Sequence, residues 1–123
     1  MPYSVQADEQ HQLVEVVYTG PITVSTRICA MEDGALLLEA HQYARVLVDL
    51  TAATAAPEPS DAAHGYAARM AHRPRTRGSR LAYVMLPQQA ANLPMEHLAS
   101  ARHVELRHFH ARADALHWLL TGT

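Results

Sequence analysis

The sequence predicts an α/β fold: a small, mixed, mainly parallel five-stranded sheet with four helices, in the order β-β-α-β-α-β-α-β-α. Three observations predict it. Two β-prone runs joined by a short polar stretch open the chain as an antiparallel pair. A compact β-branched run, Val46-Leu47-Val48, then follows a helical repeat, which is the pattern of a βαβ crossover. Strand-like and helix-like segments go on alternating to the end of the chain.

Val5 and Ala7 mark the first strand and Leu13, Val14, Val16 and Val17 the second, with Asp8 to Gln12 as the connection. Thr19-Gly20-Pro21 breaks the pattern after Tyr18. Val24, Ile28, Met31, Ala35 and Leu38 recur at alternating steps of four and three, which is one face of a helix. Thr23 caps its start, and Gly34 within it costs about 1 kcal/mol relative to alanine. Val46-Leu47-Val48 reads as a strand buried on both faces, and the Ala-, Thr- and Pro-rich stretch from Thr51 to Pro59 reads as a loop. Ser60 or Asp61 caps a second helix running to about Arg73, with Ala63, Tyr66, Ala67 and Met70 inward. Leu81 to Leu86 is the strongest strand signal, ended by Pro87. Pro94 opens a third helix with Met95, Leu98 and Ala99 as its apolar stripe. Val104 and Leu106 alternate with Glu105 and Arg107 as in a half-polar edge strand. A last helix runs from about Arg112 to Leu120 and carries Ala115, Leu116, Trp118 and Leu119. No internal repeat and no linker divides residues 1–123, which read as one domain.

Composition sets the broad class. The chain has 123 residues, 49% hydrophobic and 18% charged, the balance of a folded soluble domain. A chain of that length buries roughly two-thirds of its unfolded surface, so it needs neither disulfide nor structural metal to fold. Its one cysteine, Cys29, excludes an internal disulfide, and its position beside Ile28 reads as a small, buried or half-buried apolar helix residue. Ten basic residues against twelve acidic ones give a net charge of −2, which argues against nucleic-acid binding. No apolar run approaches the roughly 20 residues of a membrane span, and Met1-Pro2-Tyr3-Ser4 lacks the pattern of a signal peptide. The expected protein is not an integral membrane protein, and its expected location is cytoplasmic.

Gly20-Pro21-Ile22-Thr23, Val46-Leu47-Val48-Asp49, Leu81-Ala82-Tyr83-Val84 and the closing pattern of Phe109 followed by Asp114-Ala115-Leu116-His117-Trp118-Leu119 carry a resemblance. Together with the element order, they resemble the STAS fold of anti-sigma factor antagonists, in the bacterial branch similar to stage II sporulation protein AA. The resemblance spans about residues 3 to 120, and its motifs are packing motifs. It implies a non-enzymatic regulatory module that engages a protein partner or a small anionic or lipid-like ligand, since the fold also resembles lipid-transfer modules with a cavity. In anti-sigma factor antagonists a serine in an Asp-Ser-x-Gly pattern at the start of the helix after the central strand is phosphorylated. This chain has no such tetrapeptide: Ser60 stands at the predicted helix start in the order Pro59-Ser60-Asp61-Ala62.

The candidate binding residues are therefore Asp49, Thr51 and Thr54 after the central strand, Ser60 at the next helix start, and the arginines Arg73, Arg75 and Arg77. A helix N-terminus favours a phosphate, which makes Ser60 the candidate phosphorylation site beside its plainer reading as an N-cap; Thr51 and Thr54 are further hydroxyls for such a modification. Arg69 to Arg80 holds five arginines and no acidic residue, and guanidinium forks suit phosphate and carboxylate, although such loops are most often simply solvated. Asp49 ends a central strand, where open α/β sheets place functional groups, and it equally suits a turn cap. With His64 one turn into the next helix it makes an alternative reading, a small hydrolase or transferase. A third reading is a structural homodimer formed through the edge strand or the opening hairpin. Nine histidines include His108-x-His110, which puts two imidazoles on one strand face, but a closed zinc site needs four ligands. No nucleophile elbow, phosphate-binding glycine loop or His-Glu-x-x-His pattern occurs, so neither a catalytic residue, a metal nor a cofactor is expected. Trp118 and Tyr66 are candidates for the aromatic edge of a pocket.

Overall fold

The structure, a computed structural model, describes residues 2–55, 79–87 and 105–122. These form strands β1 (Tyr3–Asp8), β2 (Leu13–Ile22), β3 (Arg45–Ala55), β4 (Arg80–Val84) and β5 (Glu105–Phe109), with helix α1 (Val24–His41) after β2 and helix α2 (Arg112–Thr121) after β5. The sheet runs β1-β2-β3-β4-β5 in space, β1 antiparallel to β2 and every other pair parallel. The mixed, mainly parallel five-stranded sheet is thus the one expected. Of the four expected helices, the first and last are α1 and α2. Those beginning near Ser60 and at Pro94 lie outside the described residues, as does Val104.

The opening hairpin closes where expected, with Asp8 opposite Leu13. Asp8 organises the turn: its carboxylate accepts from the His11 backbone N–H (3.2 Å) and pairs with His11 Nδ1 (2.8 Å). That side-chain bond holds the Asp8 carboxyl below the ordinary carboxylate range. α1 starts at the predicted cap, Thr23 accepting from the Thr26 N–H at 3.1 Å. Tyr3 fastens β1 to α1 by donating its hydroxyl to Asp33 at 2.8 Å, and the negative acceptor raises the phenol's pKa.

Two segments read as irregular are strand. β2 continues through Thr19, Gly20 and Pro21 to Ile22, and β3 continues to Ala55, because the two extensions pair with each other, Thr19 with Ala52 through Ile22 with Ala55. Gly20 takes φ 70 inside the strand, a conformation that costs glycine little. Pro21 is tolerated because β1 pairs with β2 only as far as Tyr18, leaving β2 one strand neighbour beyond it. The register slips between Val17 and Thr19, where β3 spends one residue more than β2. This bulge changes which residues face inward. Val46, Val48 and Leu50 point to one core, but the next inward residue is Ala53, while Ala52 and Thr54 are exposed.

The sheet has a core on each face, and β3 serves both, as its continuous apolar run requires: Val46 and Val48 pack on the α1 side, while Leu47 is wholly buried on the α2 side. α1 lies on β1 and β2, and α2 on β3, β4 and β5. On the α2 side Trp118, only 4% exposed, packs with Leu47, Ala82, Val84 and Leu119. Phe109 lies against its ring with centroids 5.8 Å apart, and the Arg107 and Arg80 guanidiniums lie 5.6 and 5.9 Å from it. Arg112, at the start of α2, pairs with Glu15 of β2. The helix ends in a left-handed Gly122 (φ 79), whose missing side chain also leaves room for Arg80: a Cβ there would stand 2.8 Å from Arg80 Nη2.

Candidate functional site

Asp49 and Thr51 stand together at the β3 bulge. One Asp49 carboxylate oxygen accepts from the Thr51 backbone N–H at 2.9 Å and from the Thr51 hydroxyl at 2.7 Å. Both side chains are half-buried. The arrangement is an aspartate bonding to the residue two positions on, which stabilises a local kink. Of the two sequence readings of Asp49, the cap is the one its geometry serves, although it caps a bulge within a longer strand rather than a turn after one. Thr54 is exposed further along β3, opposite Pro21. Ser60, His64, Tyr66, Arg73, Arg75 and Arg77 lie outside the described residues.

The arginine-rich stretch ends at a described position that the sequence did not reveal. Arg80 pairs with Arg45 at the beginning of β3, while Asp49 pairs with Val84 four positions along. The chain between Ala55 and Arg80 therefore leaves the sheet at one end and re-enters it at the other, as a parallel crossover demands. Arg80 is thus at the opposite end of the sheet from Thr51 and Thr54 and does not join them in one face.

Between α1 and the sheet is a feature that the helix periodicity hints at only through its small residues. A cavity of about 30 Å³ lies between Ala30, Gly34 and Ala35 of α1 and an apolar floor that includes Val16, Val48 and Tyr83. That is room for one or two water-sized bodies, between walls that are almost wholly apolar. Gly34 makes the space: a Cβ built there meets nothing closer than Val14 and Val16 at 3.9 Å. The helix keeps the expected face at Met31, Ala35 and Leu38, which are buried, and widens it by neighbouring positions. Its buried line runs through Arg27, Ala30, Met31, Gly34, Ala35 and Leu38, with Ile28 only half-buried and Cys29 exposed, contrary to the reading of that cysteine as an apolar helix residue.

The remaining candidates are placed as follows. Trp118 is a core residue of the α2 face, and Tyr66, its expected partner at a pocket edge, lies outside the described residues. His108 and His110 do lie near each other, their rings 5.9 Å apart, and His110 Nδ1 donates to the Met85 carbonyl at 3.0 Å. Among the described residues no group of three or more His, Cys, Asp or Glu side chains is placed to hold a metal. No described helix is long and apolar enough to cross a membrane.

A sheet of this order, antiparallel at its first pair and parallel beyond, with helices on both faces, is the SpoIIAA-like fold of the STAS type. A solved structure shares it: an uncharacterised protein of the DUF3478 family with a SpoIIAA-like fold, from Shewanella loihica PV-4, matches with a TM-score of 0.58 and 18% identity, over 95% of this chain and 91% of that one. At that identity the likeness is one of fold. No family model and no curated protein matches the chain.

Proposed function

We propose that the protein is a non-enzymatic binding module of the STAS type whose ligand is a small, lipid-like molecule held between α1 and the sheet. The carrying observation is the apolar cavity beneath Ala30, Gly34 and Ala35. At about 30 Å³ it is a seed rather than a finished pocket, since small-molecule sites usually span roughly 300–1,000 Å³. The ligand enters as α1 lifts from the sheet, and the small residues on the helix underside keep the cost of that movement low. Binding rather than catalysis is supported by Asp49, one of whose carboxylate oxygens is committed to the Thr51 N–H and hydroxyl in a local structural contact.

Native mass spectrometry of the protein purified from its own host, compared with its denatured mass, tests this reading. The expected result is a non-covalent mass increment that Gly34→Leu removes while the circular dichroism spectrum stays that of the parent. A clean mass, or an increment untouched by Gly34→Leu, rejects the site and returns the function to a protein partner. A phosphate increment that survives denaturation points to the hydroxyl switch at Ser60, Thr51 or Thr54.

A further inference from the structure

At the end of the sheet where β3, β4 and β5 begin, Arg45, Arg80 and Glu105 stand side by side in register, each on the α2 side of the sheet. They border a groove of about 450 Å³, open to solvent and closed at its rim by Gln12, Gln42 and Leu119. Neither the fold's motifs nor the cavity under α1 involves this groove.

Its charge is unbalanced at close quarters. Two guanidiniums occupy neighbouring positions on strands about 4.8 Å apart, where like charges oppose each other. Arg45 is turned to carbonyl oxygens, donating from Nε to Leu119 at 2.9 Å and from Nη1 to His11 at 3.3 Å. Arg80 faces Glu105, the one carboxylate among the described residues of the groove, at an Nε to Oε1 distance of 3.5 Å. That is well beyond the roughly 2.7–2.9 Å of a charge-assisted hydrogen bond, and Glu105 is exposed. The rim is built from two chain reversals. Gln12 (φ 55) and Gln42 (φ 60) are the only non-glycine residues in the left-handed region among the described residues, and both border this groove. Gln42 is the left-handed C-cap of α1, its backbone N–H on the Leu38 carbonyl, and Gln12 ends the hairpin turn, so both rim positions are held by fixed local structure.

We propose that this groove is a second binding site, taking the oxyanion of a small polar molecule, a carboxylate or a phosphate, on Arg80 and Arg45 with Gln12 at its edge. The anion displaces Glu105 from Arg80 and supplies the short, charge-assisted contact that the loose pair lacks.

The test is a titration of ¹⁵N-labelled protein with inorganic phosphate and, separately, with acetate, against chloride at matched ionic strength. Saturable shifts at the Arg80 and Arg45 Nε–H and at the Gln42 and Tyr43 amides are expected. Phosphate alone producing them assigns the source to phosphate esters, and acetate alone assigns it to carboxylates. Arg80→Gln is expected to abolish the response. Because Arg80 also packs over Trp118 and Gly122, Glu105→Gln is the second variant: it removes the competing carboxylate and tightens binding by about two- to fivefold, the range expected from releasing one exposed ion pair. Shifts no larger than those with chloride, or an affinity left unchanged by Glu105→Gln, overturn the proposal.

Discussion

On the α2 face, Leu13, Leu47, Ala82, Ala115 and Leu119 are buried around Trp118, with aromatic and cationic neighbours on the indole. On the α1 face the same sheet presents equally buried valines and tyrosines, but the covering helix offers Ala30, Gly34 and Ala35 and leaves a cavity. Interiors at crystal-like density lose dispersion contacts wherever a lining atom has no partner, so the two faces differ in how much their packing contributes. One face is filled around the helix that lies on it, while the other leaves space beneath its helix. That difference is the ground on which we propose α1 rather than α2 as the element that admits a ligand.

The largest expected effect removes the anchor of the tight face. Trp118→Ala leaves a cavity among Leu47, Val84 and Phe109 and is expected to destabilise the protein by about 3–5 kcal/mol, read from urea denaturation. A loss under about 1 kcal/mol means that the α2 face is as loosely packed as the α1 face, and the comparison fails. Next comes the bulge, which sets which β3 residues reach the core beyond Leu50. Asp49→Ala strips the acceptor from the Thr51 N–H and hydroxyl and is expected to cost about 1–3 kcal/mol. Asp49→Asn retains a side-chain oxygen and is expected to recover part of that loss. Unchanged stability in the alanine variant removes Asp49 from its structural role and reopens it as a reactive group. On the loose face the sign reverses: Gly34→Ala adds helix propensity and a methyl group with van der Waals clearance, so it is expected to stabilise by about 1 kcal/mol. The same methyl occupies part of the cavity, so ligand retention falls as the melting temperature rises.

How far the sequence disclosed this depends on where each signal is local. The Thr23 cap, the periodic face of α1, the doubly buried Val46-Leu47-Val48 and the span of α2 all rest on short-range patterns, and all stand close to where those patterns put them. The extensions of β2 and β3 do not. Thr19-Gly20-Pro21 and the alanine-threonine run after Leu50 are each poor strand formers, and they become strand only by pairing with each other across more than 30 residues. The bulge between them, and with it the Asp49 to Thr51 contact, follows from the same long-range register. Arg80 was legible as part of a basic stretch, but only the parallel pairing of β3 with β4 puts it at the far end of the sheet from Thr54. The groove at that end had no sequence signal, because Arg45, Glu105 and Leu119 belong to three separate elements. Cys29 lies on the exposed side of α1 because the buried stripe runs through Ala30, Met31, Gly34, Ala35 and Leu38, and a neighbouring helix position is turned by about 100° from the one before it.

The smallest expected effect lies in the hairpin turn, away from both packed faces, and marks what a purely local contact contributes. His11 Nδ1 at 2.8 Å, with the His11 backbone N–H at 3.2 Å, favours the ionised form of Asp8 and lowers its pKa in the folded chain. The unfolded chain, with an ordinary aspartate pKa of about 3.9, therefore takes up a proton on Asp8 more readily than the folded one. The turn's contribution is complete above that value and is lost as pH falls through the lower folded value. Asp8→Asn is accordingly expected to lower stability slightly at neutral pH and to flatten the acid limb of the stability curve below about pH 4, measured by urea denaturation across pH. Since the turn holds Asp8 opposite Leu13, and Leu13 is part of the α2 core, an effect as large as that of Trp118→Ala means that the hairpin register helps to build the tight face. An effect confined to the acid limb leaves that face to its own packing.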